Sequence, residues 1–188
     1  MARVLRFPLL LACAVVLLGA CSTLGLVGAL LGDRIAFTAP QLQQQLDRRF
    51  PRDYDKLGGL VTLSVLHPRL SIPQGGGRLR LDFDVGIGAA GRDSRTPAGH
   101  LAVSSGLRWN PSTRGLHLEA PSIESLQLPG LGEGLSPAAR DLVDRWLSDY
   151  AEREPVYRFD DSLLQRLQSR SIGATTIEDG LVVVHLDQ

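Results

Sequence analysis

Leu79-Arg80-Leu81-Asp82-Phe83-Asp84-Val85-Gly86-Ile87 alternates apolar residues with polar or small ones without a break. Successive side chains of a strand point to opposite faces, so this period of two predicts a strand with one buried and one solvated face. Upstream, Val61, Leu63 and Val65 alternate with Thr62 and Ser64, and the glycines at 75–77 supply a turn between the two runs. Downstream, Leu101, Val103, Leu107 and Trp109 keep one phase. The turn Asn110-Pro111-Ser112-Thr113-Arg114-Gly115 then leads into a further strand from Leu116 to about Leu128. Long strands joined by short turns predict an antiparallel meander that is apolar on one side only.

Helical signals flank the meander. Thr38, Pro40 and Gln41 form a capping box with proline in the first turn, and Phe37 and Leu42 are spaced as a hydrophobic staple. Leu42, Leu46 and Phe50 make one narrow stripe before Pro51 ends the helix. Ser136 and Pro137 open a second helix whose Leu142, Val143, Trp146, Leu147 and Tyr150 follow the helical period, a stripe wide enough to cover a sheet. A short strand over 155–159, a short helix over 162–169 and a hairpin over 172–186 turning at Asp179-Gly180 complete the expected elements.

Composition narrows the function classes. In 188 residues, 20 Lys and Arg balance 20 Asp and Glu, and 44% of the chain is hydrophobic. That suits one folded domain and excludes a disordered chain. A basic footprint for nucleic acid is absent. Lys56 is the only lysine.

The first residues carry an export signal. Arg3 and Arg6 precede an uncharged run from Phe7, and Leu18-Gly19-Ala20-Cys21 resembles the lipobox of bacterial lipoproteins. The expectation is a signal peptide over 1–20, a lipidated Cys21 with a tether over 21–34, and one domain over 35–188. The uncharged stretch to Gly32 has the length of a membrane span, but Cys21-Ser22-Thr23 and several glycines interrupt it. Cleavage before Cys21 also removes Cys13, which leaves no partner for a disulfide. Ser22 in place of Asp after the cysteine directs the expectation to the periplasmic face of the outer membrane.

Chemical motifs are weak. Gly86-Ile87-Gly88-Ala89-Ala90-Gly91 spells G-x-G-x-x-G, yet Arg92 to Pro97 cannot continue as the helix that a dinucleotide loop requires. His67, His100, His117 and His185 lie far apart with no metal-ligand spacing, and no nucleophile elbow occurs. Asp82 and Asp84 share the solvated face with Arg78 and Arg80, which describes a surface charge ladder rather than a catalytic dyad. Arg48, Arg49 and Arg52 could meet lipid headgroups near a membrane, although a solvated helix end is the simpler reading. The expectation is no enzyme, no catalytic residues, no metal and no cofactor.

With the lipobox, the segment Ala36-Phe37-Thr38-Ala39-Pro40-Gln41-Leu42-Gln43-Gln44-Gln45-Leu46, the alternating strands and Glu154-Pro155-Val156-Tyr157-Arg158-Phe159, the chain resembles the YceB-like family of Gram-negative envelope lipoproteins. That family is similar to the tubular lipid-binding (TULIP) superfamily. The resemblance implies an α+β fold in which a curved antiparallel sheet wraps a long helix over 138–152, with an N-terminal helix and a C-terminal hairpin. It also implies a lipid or other apolar ligand in a groove lined by Leu81, Phe83, Val85, Leu101, Val103, Leu142 and Trp146. The expected partners are the membrane, through the lipid anchor, and that ligand. The alternative is a structural or accessory lipoprotein working through protein contacts in the envelope.

Overall fold

The alternation beginning at Leu79 builds β5 (Leu79–Ala89), paired antiparallel with β4 (Val61–Ser71) on one side and β6 (Gly99–Asn110) on the other. The computed structural model describes residues 29–56, 61–89, 95–128, 137–167 and 170–187, and the expected signal peptide and Cys21 lie outside them. Leu79, Leu81, Phe83 and Val85 are buried, while Arg80, Asp82 and Asp84 reach the solvent border. Ile87 follows the same sequence phase yet is 39% exposed. The pairing of β5 with β6 ends at Val85–Gly99, so among the described strands Ile87 has only β4 beside it.

The larger sheet runs β3-β4-β5-β6-β7-β8, with β3 (Arg52–Lys56), β7 (Gly115–Gln127) and β8 (Tyr157–Arg158). A smaller sheet has the order β1-β2-β10-β9, from β1 (Ala29–Leu31), β2 (Arg34–Thr38), β9 (Ser171–Glu178) and β10 (Leu181–Asp187). The hairpin β9–β10 turns at Asp179-Gly180 as expected, and both turn residues take positive φ. Its outer partner is β2, which runs antiparallel to β10 with Phe37 opposite Val182 and Ile35 opposite Val184.

Three helices complete the described elements: α1 (Ala39–Asp47), α2 (Pro137–Arg153) and α3 (Asp161–Leu167). The capping box of α1 forms, the Thr38 N–H donating to Gln41 Oε1 at 2.8 Å. Phe37 and Leu42 are both fully buried beside it.

This architecture corrects the expected fold. The described residues are mostly strand, in two antiparallel sheets with three short helices, and among them no sheet wraps a long helix. The physical reason lies in what covers the meander's apolar face. Strand β9 packs on β6, α1 packs on β4, and α2 lies chiefly against β7, so the helix takes one flank of the sheet rather than its centre. Ile35 and Phe37 of β2 and Val182 and Val184 of β10 share a single core with Leu81, Leu101 and Val103 of the larger sheet.

Phe37 joins the layers. Its ring centroid lies 4.8 Å from that of Tyr157 and 5.5 Å from that of Phe159. Truncating a fully buried phenylalanine removes its transfer energy and leaves a cavity, so Phe37→Ala is expected to lower the unfolding free energy in urea by about 3–5 kcal/mol. A loss below ~1 kcal/mol would show that the two sheets do not depend on this contact.

Candidate cleft between the outer strand and helix α2

Helix α2 presents Trp146 and Tyr150 one turn apart, and β3 presents Tyr54 to them. The Tyr54 and Trp146 rings meet edge to face at 5.3 Å, and Trp146 and Tyr150 lie 5.8 Å apart. Such tilted and edge-to-face pairs are the preferred aromatic geometry. Between strand and helix opens a concavity of about 220 Å³, lined by Tyr54, Trp146, Asp149, Tyr150, Arg153 and Glu154. Its walls are aromatic and its rim is charged.

Two polar atoms beneath the cleft are unusual. Trp146 Nε1 and Tyr54 Oη are both buried and have only each other: the indole N–H lies near enough to the phenol oxygen to favour its ionised form, but without full hydrogen-bond geometry. Leaving a buried polar group unpaired costs roughly 1–3 kcal/mol, and native proteins keep few such groups. Burial raises the Tyr54 and Tyr150 phenols above their ordinary value of 10.0, so both stay protonated at neutral pH.

A second hollow of about 310 Å³ adjoins the cleft, lined by Arg49, Arg52, Glu154 and Arg158, with Glu154 common to both. Four segments build it: the turn after α1, the start of β3, the residue that follows α2, and β8. Arg52 pairs with Glu154 at 3.0 Å, and this hydrogen bond raises its already high pKa. Arg49 donates through Nη1 to the Pro155 carbonyl, and partial burial weakens its hold on its proton.

His117 fixes the end of α2. It is fully buried on β7, with Nδ1 2.9 Å from the Ala151 carbonyl and Nε2 2.6 Å from Thr113 Oγ1. A neutral ring that donates from Nδ1 and accepts from the threonine hydroxyl satisfies both contacts. The other histidines sit on strands at the surface. His67 lies 2.9 Å from Asp84, His100 3.2 Å from Asp82, and His185 3.1 Å from Thr176. Arg80 forks onto Asp82 and reaches Glu124 at 2.6 Å, forming the solvated charge ladder expected for this face. Among the described residues no group of three or more His, Cys, Asp and Glu is placed to hold a metal ion. Gly86 and Gly88 lie within β5, and Gly91 is outside the described residues.

The predicted groove residues divide. Leu81, Phe83, Val85, Leu101 and Val103 lie together in the shared core, and Trp146 joins them there while also lining the cleft. Leu142 lies on α2, with its side chain outside the described ones. Tyr54, Glu154 and Arg158 were not singled out from the sequence as functional residues. Arg49 and Arg52 carry two readings in the sequence, contact with lipid headgroups and, more simply, a solvated helix end, and neither joins them to Glu154 and Arg158. The one legible signal was their neighbourhood, Arg48-Arg49-Phe50-Pro51-Arg52, where three arginines crowd a chain reversal. No family model matches the chain, and no curated protein compared with it matches.

Burial lowers the His117 pKa below the ordinary 6.5, chiefly by desolvating the imidazolium. The unfolded chain therefore takes up the proton first, so stability is complete above pH 6.5 and declines as pH falls below it towards the folded-state value. His117→Gln is expected to cost about 1–3 kcal/mol at neutral pH and to flatten that decline. Urea unfolding at a series of pH values checks both, and an unchanged acid slope in the variant would assign the decline elsewhere.

Proposed function

We propose that the chain is a lipoprotein, anchored through Cys21 to the periplasmic face of the outer membrane, that binds a lipid or other apolar ligand between the sheet and helix α2. The observation that carries the binding reading is the cleft itself. Tyr54, Trp146 and Tyr150 present apolar ring surface, and the buried Trp146 Nε1 and Tyr54 Oη have no polar neighbour beyond each other. Ligand sites are commonly concave and mostly apolar, with a few well-placed polar groups that set orientation. The anchor rests on the lipobox at Leu18-Gly19-Ala20-Cys21 and on the resemblance to the YceB-like lipoproteins. Two or more acyl chains hold a protein stably at a bilayer, which would keep the cleft beside a supply of lipid. Catalysis has no comparable support among the groups described.

Native mass spectrometry of the full chain, extracted from Gram-negative envelopes in a mild neutral detergent, tests the binding reading. The expected spectrum shows the acylated chain with a non-covalent adduct of defined lipid mass that organic solvent removes. A chain that carries only its covalent acyl groups after incubation with envelope lipids would move the function to protein contacts in the envelope. The anchor has a separate check. Cys21→Ser is expected to abolish incorporation of radiolabelled palmitate, and retained label in that variant would place acylation elsewhere.

A further inference from the structure

We infer that the arginine-lined hollow is the headgroup half of the same site, so that the ligand is an anionic amphiphile whose phosphate sits among Arg49, Arg52 and Arg158 while its apolar part enters the aromatic cleft. The inference rests on the cleft being a ligand site, and it adds the ligand's charge and orientation.

Three observations converge on it. The hollow gathers three guanidinium groups against a single carboxylate, Glu154. Like charges brought together without compensation repel, and a bound anion relieves that repulsion. Two of these cations also have donors left to give. Arg158 is exposed and forms no ion pair among the described residues, and Arg49 gives one N–H to the Pro155 carbonyl. The planar guanidinium fork suits phosphate oxygens, which it can meet with two parallel hydrogen bonds.

The third observation is the unsatisfied pair in the adjoining cleft. Trp146 is 6% exposed, and its Nε1 and Tyr54 Oη have only each other, short of full hydrogen-bond geometry. An ester or glycerol oxygen next to the phosphate would be an acceptor of the right kind at that depth after a small side-chain adjustment. Glu154 lines both hollows, so one molecule can span them with its charge on one side of that carboxylate and its chain on the other. A free inorganic anion would use the arginines alone. The chain as a whole has no net charge, so the local excess of arginine is not a general attraction for polyanions.

Isothermal titration of the full chain in zwitterionic lipid nanodiscs, corrected against empty discs, separates the possibilities with three probes. Dihexanoyl phosphatidic acid carries both halves, dihexanoyl glycerol the chains alone, and inorganic phosphate the anion alone. The expected result is that phosphatidic acid binds at least about tenfold more tightly than either of the others. Arg158→Gln and Arg52→Gln should each remove most of that advantage while leaving the affinity for dihexanoyl glycerol unchanged. Arg158 is exposed on a short strand, so its variant is expected to keep the fold, which circular dichroism on heating confirms. Equal affinity for phosphatidic acid and dihexanoyl glycerol would overturn the headgroup inference and leave the cleft reading standing. Phosphate binding as tightly as phosphatidic acid would make the hollow a free-anion site and overturn the amphiphile. A preference untouched by both arginine variants would place the headgroup elsewhere, and no binding by any probe would remove cleft and headgroup together.

Discussion

Strand β2 pairs with β10 near the opposite end of the chain, and the position of almost every other element depends on that pairing. It sets Phe37 and Ile35 opposite Val182 and Val184, so residues far apart in sequence share the core with the meander. Contacts of such long sequence separation impose a loop-closure cost before they return any burial. The return here is substantial, because Phe37, Ile35, Val182 and Val184 are all fully buried. The helix α1 begins directly after β2, so the same pairing carries Leu42 and Leu46 into the core and delivers Arg49 to its hollow.

The other end of the site hangs on α2. Leu147 and Ala151 bury its inner face, and His117 ties its last turn to β7 through the Ala151 carbonyl. Glu154 follows one residue beyond the helix, with its N–H bonded to the Tyr150 carbonyl at 2.8 Å, so the carboxylate inherits the helix's position. Strand β8 is then bound to β7, Val156 donating to the Leu116 carbonyl at 2.7 Å, and it carries Arg158 to the same place. A side chain added at Gly115 would meet Pro155 Cβ at 2.5 Å, which shows how closely this return segment approaches the sheet. The charged hollow is thus assembled by backbone contacts of elements whose own side chains serve the core.

Much of the meander was legible because its information is local. The alternation of β5, the turn at 110–115, the capping box at Thr38 and the Asp179-Gly180 hairpin each depend on neighbours within a few residues. The rest of the second sheet, β1 and β2 with their pairing to β10, was not legible. Ile35, Ala36 and Phe37 are buried in succession, so β2 shows no alternation, and its partner lies at the far terminus. Strand β3 reads Arg-Asp-Tyr-Asp-Lys, a composition that favours solvent, and it is extended because β4 offers it a ladder. The candidate site shared this difficulty. Trp146 and Tyr150 stood out on their helix, but Tyr54, Arg49, Arg52, Glu154 and Arg158 come from separate segments with no common motif. The expected wrapped helix failed for a related reason. An amphipathic stripe states how much apolar surface a helix must cover and leaves open which part of a sheet it will cover.

Strand β3 closes the larger sheet on the side where the cleft opens, and its composition has a consequence for how the chain meets other chains. An outermost strand offers unpaired backbone groups to any passing extended chain, which is how sheets recruit one another into aggregates. Here Arg52 is engaged by Glu154, and Asp53 by the Ser64 hydroxyl at 2.5 Å and by Arg95 at 3.4 Å. A neighbouring strand attempting to add itself would have to desolvate or break those ionic contacts. The rim of the cleft is thereby protected against self-association by charge, so its aromatic interior can stay accessible without the strand beside it becoming a template for polymerisation.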